Sequence, residues 1–365
     1  MRLLPLLALT LAFAGTLSAH SFEPATAVTI AGDKFLINGK PTYEGLTWRD
    51  QSIEGRLFNA RLVQATFDDE NPATRDRWAY PDTGVWDAER NVREFLAAMP
   101  TYRRHGLLGL AVNLQGGSPE GYSKNQPWEN NAFNPDGTMR PAYQDRMGRV
   151  IEFADQLGMV VILGYFYFGQ DERLTDEAAV INAVDSATQW ILQHGWTNVI
   201  IEVNNECDVR AYQHDILMPD RVPELIARVR SHERDGRRLL VTTSFKGNTV
   251  PSDEVVAASD YVLVHGNGVH DHKRIVEIVE ETRELPSYEP KPIVFNEDDH
   301  YGFDVPHNNF TAAISAGASW GYFDYRMDGE GYDEGHQSVP VNWGLSSERK
   351  RGFFRLLAEI TQSNP

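Results

Sequence analysis

The chain has 365 residues, with 34 Lys and Arg against 52 Asp and Glu and a formal net charge of -18. Charge of that sign repels phosphate backbones and anionic lipid, so neither nucleic acid nor a membrane surface is an expected partner. The single cysteine, Cys207, permits no intrachain disulfide, and a chain of this length can hold its core by packing alone.

Residues 1–19, MRLLPLLALTLAFAGTLSA, set Arg2 ahead of an apolar run over 3–14 and small residues at Ser18 and Ala19. That layout is the one expected of a signal peptide cleaved near Ala19, so the mature protein is expected to be secreted or periplasmic and free of the membrane after cleavage. The run is shorter than the roughly 20 apolar residues of a spanning helix, and no second one follows. Residues 20–365 show no repeat, linker or composition break, so they are expected to form one domain.

After the leader, VTIAGDKFLINGKPTYEG alternates apolar and polar residues around Gly32-Asp33 and Asn38-Gly39, as a hairpin capping a barrel base would. From there apolar, β-rich runs alternate with amphipathic stretches. Residues 43–48 are expected as the first strand of the series and 89–104 as its first helix, with Val92, Phe95, Leu96 and Met99 along one face. The loop between them is long, and its Trp78, Tyr80 and Trp86 are placed to close one end of a cleft. It also carries Arg49, Arg56, Arg61, Arg75 and Arg77, read as surface charges paired with nearby Asp and Glu, with an acidic ligand as the alternative.

The second strand is expected over 107–113 with its helix over 143–157, and the third over 160–167 with a helix from the cap Asp176 to His194. A fourth strand covers 199–204 and a helix 222–234; a fifth covers 239–243 and a short helix 253–258. The sixth, seventh and eighth strands are expected over 261–264, 293–295 and 318–324, and their helices over 272–284, 305–316 and 346–361. Eight strand-then-helix units with doubly apolar strands predict an α/β fold, a (β/α)8 TIM barrel with an N-terminal β-hairpin and extended βα loops. An open doubly wound sheet would call for a G-x-G-x-x-G turn after the first strand, and none is there.

Barrel active sites lie at the C-terminal strand ends. Strand four reads VIIEVNNE and ends on Asn205-Glu206, while strand seven reads PIVFNE and ends on Asn296-Glu297. Two carboxylates on one rim suit glycoside hydrolysis, in which one protonates the leaving oxygen and the other attacks the anomeric carbon or activates water. Trp48, Tyr165, Tyr167, Trp320 and Tyr322 fall on or after strand ends, as do Trp128 and Trp343, and aromatic faces suit sugar rings.

On these motifs the mature chain resembles the clan A glycoside hydrolases, which include family 5. The resemblance implies Glu206 as acid/base, Glu297 as nucleophile, a retaining mechanism and a polysaccharide or oligosaccharide substrate. It further implies Asn205 on the sugar 2-hydroxyl, His265 as the strand-six His and Trp320 as the strand-eight Trp under the sugar. Three positions depart from the pattern. No Arg follows the second strand, so Asn113 or Arg49 is the expected substitute; Asn267 stands where a Tyr is usual; and Cys207 replaces a Pro.

HGNGVHDH, with His265, His270, Asp271 and His272, and EDDH, ending at His300, could be read as metal ligands, yet their spacing matches no strong motif. No metal or cofactor is therefore expected. The acidic stretch 328–336 lacks EF-hand spacing and reads as a solvated loop. A non-catalytic sugar-binding barrel is the other reading of the same fold, and the presence of both Glu206 and Glu297 weighs against it.

Overall fold

The protein is described here by a computed structural model covering residues 22–123 and 125–365. The expected signal segment lies outside the described residues. A small antiparallel sheet comes first: β1 (Val28–Ala31), β2 (Lys34–Ile37) and β3 (Lys40–Pro41). Asn38 and Gly39 form the two-residue turn between β2 and β3, both at positive φ (53° and 78°), which an Asn-Gly pair tolerates. Val28 and Phe35 from this sheet join Leu57, Ala111, Ile162, Ile200 and Leu263 in one buried cluster, so the hairpin plugs the barrel base as expected.

The first barrel strand is displaced from its expected place. Residues 43–48 form turns that lead into a small hairpin, β4 (Thr47–Trp48) with β5 (Gln51–Ser52), outside the barrel. The strand itself is β6 (Asn59–Arg61), inside the segment read as a loop. Its inward side chains are Asn59 and Arg61, and these polar residues interrupt the apolar run that marks the other strands.

The series continues with β7 (Gly109–Asn113), β8 (Val160–Phe166), β9 (Val199–Asn204), β10 (Val241–Thr242), β11 (Val262–His265), β12 (Ile293–Glu297) and β13 (Gly321–Tyr322). Six of them pair in parallel in the order β10-β9-β8-β7-β6-β13, and β11 pairs with β12. A parallel bridge from Val294 to Ser319 joins β12 to the approach of β13. Between β10 and β11 the links are single bonds, Asp260 N to Val241 O at 3.0 Å and Asn248 N to His265 O at 3.3 Å.

Outside the strands lie α1 (Ala88–Arg104), α2 (Pro141–Gln156), α3 (Glu177–His194), α4 (Val222–Ser231), α5 (Asp253–Ala258), α6 (His272–Arg283), α7 (Asn309–Ser315) and α8 (Glu348–Ile360). Asp87, Asp176, Asp271, Asn308 and Ser347 cap five of them by accepting backbone N–H groups. The cap at Asn308, reciprocated by Thr311, starts α7 later than its apolar pattern implies. The period of two then sorts side chains. In β8, Val160 and Ile162 face inward, and Val161, Leu163 and Tyr165 pack with the helices. The architecture is the α/β barrel expected from the eightfold alternation.

Candidate active site

Glu206 follows β9 in a left-handed conformation, φ +51°, which costs a non-glycine residue free energy and occurs mostly where geometry is over-determined. Ser244 supplies the constraint: its Oγ accepts from the Glu206 N–H at 2.9 Å, and its carbonyl accepts from the Cys207 N–H at 2.8 Å. Glu297 ends β12 after a β-bulge, for Val264 pairs with Phe295 but His265 pairs with Glu297. The extra residue, Asn296, turns its amide to Glu202 at 3.3 Å, and Glu297 also reaches the barrel mouth.

Carboxylate oxygens of Glu206 and Glu297 and a nitrogen of His265 all lie within 4.8 Å of one another. His265 Nδ1 is 2.9 Å from Glu206 Oε1 and 3.7 Å from Glu297 Oε2. The Arg61 guanidinium, 1% exposed, sits 2.6 Å from Glu297 Oε2 through Nε, donates to Asn205 Oδ1 at 2.7 Å, and has Glu202 at 3.9 Å. Asn267 Nδ2 donates to the other Glu297 oxygen at 2.8 Å. Arg61 and Asn267 thus hold the two oxygens of one carboxylate from opposite sides of the barrel mouth.

The two glutamates differ in their surroundings. Burial pushes the Glu206 carboxyl up to about 7, Arg61 and Lys246 lower it, and Asp208 adds to the rise. Burial also raises Glu297, but Arg61, His265 and the Asn267 amide act directly against it. Burial lowers His265, which favours neutral imidazole between the carboxyls. Arg61 itself is raised, because Glu297 and Glu202 outweigh the opposing effect of its own burial.

Arg61 joins the carboxylate cluster although the sequence reading places it among surface arginines. The pattern places an arginine after the second strand, with Asn113 or Arg49 as the expected substitute, whereas an arginine ends the displaced first strand; the alternation Phe58, Ala60, Leu62 outward around Asn59 and Arg61 is the signal that marks it. Asn113 does face the barrel mouth, 2% exposed, and neither of its side-chain polar atoms has a protein partner. His265 Nε2 and Asn267 Oδ1 are likewise buried and unpartnered. Asn205 is drawn into the cluster by Arg61, and Tyr167 lies near enough that Glu297 and Glu206 add to burial in raising its phenol.

Other expected contacts lie elsewhere. Trp48 donates its indole N–H to Glu359 on α8 at 3.0 Å, and Arg49 stacks on Trp48 and donates to the Pro306 carbonyl at 3.1 Å, so both belong to the outer layer. Tyr165 points outward to Thr188 of α3. Trp320 stacks on Phe310 of α7 and donates to Asp298, and Tyr322 stacks on Phe353 of α8. Strand phase is the reason: Ser319, Gly321 and Phe323 take the inward places, and a Cβ on Gly321 would meet Asn59 Oδ1 at 2.2 Å. Trp128 packs edge-on against Trp78, and Trp343 donates to Asn91, both in the core. Arg56 and Arg77 pair with Asp33 and Glu120, and Arg75 holds the Asp69 carbonyl, so this part of the basic loop is internally matched.

Among the described residues two side-chain groups have the donor types for a divalent ion: Glu206, His265 and Glu297, and Asp298, Asp299 and His300. In the first, the Arg61 cation and the Asn267 amide already engage both Glu297 oxygens. In the second, Asp298 is engaged by His300, Trp320 and Asn309. Within 328–336, Glu330 and Glu334 pair with Arg349, and His336 is buried.

No family model matches the chain, and no curated protein matches it. Solved structures do. An endo-1,4-beta-mannanase from Rhizomucor miehei aligns at TM-score 0.58 and 11% identity, over 93% of this chain and 100% of that one. A glycoside hydrolase family 5 structure from Bacteroides vulgatus gives 0.55 at 13% identity, over 91% and 70%. A candidate glycoside hydrolase from the same organism gives 0.55 at 16%; 92% of this chain is covered, and it spans 61% of that chain's length. At such identities the likeness is one of fold: the chain shares an α/β barrel with these solved structures.

Proposed function

We propose that the protein is a retaining glycoside hydrolase with Glu297 as nucleophile and Glu206 as acid/base. The observation that carries this reading is a pair of carboxyl groups, their oxygens within 4.8 Å, in unlike environments. Retaining enzymes hold the pair about 5 to 5.5 Å apart, whereas inverting ones need roughly 6.5 to 9.5 Å to admit a water. Glu206, raised to about 7, is protonated at mildly acid pH and can give its proton to the leaving oxygen. Glu297, ion-paired to Arg61, is the one suited to attack as carboxylate.

In the first step a Glu297 oxygen bonds to the anomeric carbon as the bond to the leaving oxygen breaks and that oxygen takes the Glu206 proton. In the second, Glu206 removes a proton from water, which attacks the same carbon and releases Glu297. Each inversion reverses the other, so the configuration is retained. The unpartnered buried atoms of Asn113, His265 and Asn267 supply hydrogen-bonding groups for sugar hydroxyls, which otherwise leave a cost unpaid at the barrel mouth.

A panel of aryl glycosides and polysaccharides, run with wild type, Glu206→Gln and Glu297→Gln, tests the reading. Turnover of at least one substrate, lost in Glu297→Gln, and a product that first appears with the substrate's anomeric configuration are expected. An inverted first product, or undiminished turnover by Glu297→Gln, contradicts it.

A further inference from the structure

We propose that Tyr122 is the residue on which a pyranose ring stacks in this cleft, an assignment that rests on the glycosidase reading above. The aromatic platform expected from strand eight is absent from the barrel mouth, because Trp320 and Tyr322 are fully buried against the helices. Tyr122 is instead 54% exposed. It is carried by the loop after β7, which reaches from strand two across to residues after strands six, seven and eight. Gln337 Nε2 donates to the Gly117 carbonyl at 3.0 Å and Val339 N to the Pro119 carbonyl at 2.8 Å, which tether that loop.

The ring is fixed at its tip and by two neighbouring rings. Its hydroxyl donates to Asp299 Oδ2 at 2.8 Å and accepts from Asn267 Nδ2 at 2.6 Å, and the same amide donates to Glu297. Phe323 and Tyr325 meet it edge to face, at 5.6 and 4.8 Å between ring centres. Gly121 before it is at φ +99°, where a side chain would be strained and its Cβ would meet the Tyr325 ring at 3.0 Å. These contacts fix the ring one amide away from Glu297. An apolar face oriented in advance binds the C–H face of a sugar with little further loss of side-chain freedom.

The test titrates cellohexaose and mannohexaose by calorimetry into Glu297→Gln and into Glu297→Gln/Tyr122→Ala. The single variant is expected to bind at least one of them, and loss of the ring to weaken that binding by about tenfold, on the scale of one well-placed aromatic contact. Equal affinity in the two variants, or no binding of either sugar to Glu297→Gln, overturns the assignment. Kinetics on a hydrolysed substrate separate it from a purely positioning role. Tyr122→Ala is expected to raise KM about tenfold and Tyr122→Phe, which keeps the ring, by less than about threefold. A fall in kcat with unchanged KM in Tyr122→Ala would leave the glycosidase reading standing and remove Tyr122 from the sugar site.

Discussion

Glu206 and Glu297 face each other across an imidazole, and the difference between them is made by what lies behind each. Burial raises both and Arg61 opposes it in both, but Asp208 adds to the rise at Glu206, whereas at Glu297 Arg61 makes a direct ion pair and the Asn267 amide a hydrogen bond. A carboxyl raised from 4.5 to about 7 is protonated below that pH and loses its proton above it, so an acid that must donate fails as pH rises. The kcat/KM profile is therefore expected to fall through about pH 7 on its alkaline side, and a profile flat to pH 9 would remove Glu206 from the acid role. Asn267 acts on the opposite limb. Its N–H favours the ionised form of Glu297, so Asn267→Ala raises that carboxyl and moves the acid limb to higher pH. A kcat lower by on the order of 10- to 100-fold, with that shift, is expected from a loosened nucleophile, and an unmoved acid limb would contradict it. The pair itself was legible in the sequence because Asn-Glu recurs at two strand ends, and the place of Asn267 was legible as the departure two residues after His265; Arg61 and Tyr122 were not, since each reaches the site from a segment that reads as surface or loop.

Among the elements, β6 shows why a strand can escape a search for apolar runs. In the same sheet β8 carries Val160 and Ile162 inward, whereas β6 presents Asn59 and Arg61, polar groups at the barrel mouth. The segment 43–48 offers aromatic and β-branched residues in its stead, and β-propensity without a partner strand yields only the β4–β5 hairpin. Strand eight shows the complementary error: its residues were identified, but not its phase. A period of two puts either Trp320 and Tyr322 or Ser319, Gly321 and Phe323 inside, and only the second set fits beside Asn59 and the Phe295 carbonyl. Gly321→Ala places a Cβ at 2.2 Å from Asn59 Oδ1 and 2.8 Å from that carbonyl, one of them rigid backbone. A loss of about 1 to 3 kcal/mol in denaturant unfolding is expected from such overpacking. Unchanged stability would mean that the seam between β6, β12 and β13 is looser than described.

At the scale of the whole molecule the barrel is closed below by the N-terminal sheet and open above at the carboxylates. Seven of the eight strands, the hairpin and most helix ends could be read from periodicity and caps, because those signals are local; the partners of side chains across the barrel could not, because they depend on how far each strand is staggered. Phe35 is the centre of the lower closure, fully buried and 5.9 Å from the Tyr261 ring. Phe35→Ala is expected to cost about 3 to 5 kcal/mol in unfolding free energy, as large-to-small changes in cores do. Activity per folded molecule should survive, since the plug lies at the strand ends opposite the glutamates; an equal loss in both would join the plug to the site.

The account turns on Glu297 forming a bond to sugar. An activated 2-deoxy-2-fluoro glycoside of the sugar that the substrate panel identifies slows release of such an intermediate, and mass spectrometry of the digested protein locates it. The expected result is one added sugar on the peptide containing Glu297, formed by wild type and missing from Glu297→Gln. A sugar attached to another residue, or inactivation of neither protein alongside inverted products from ordinary substrate, would contradict the account.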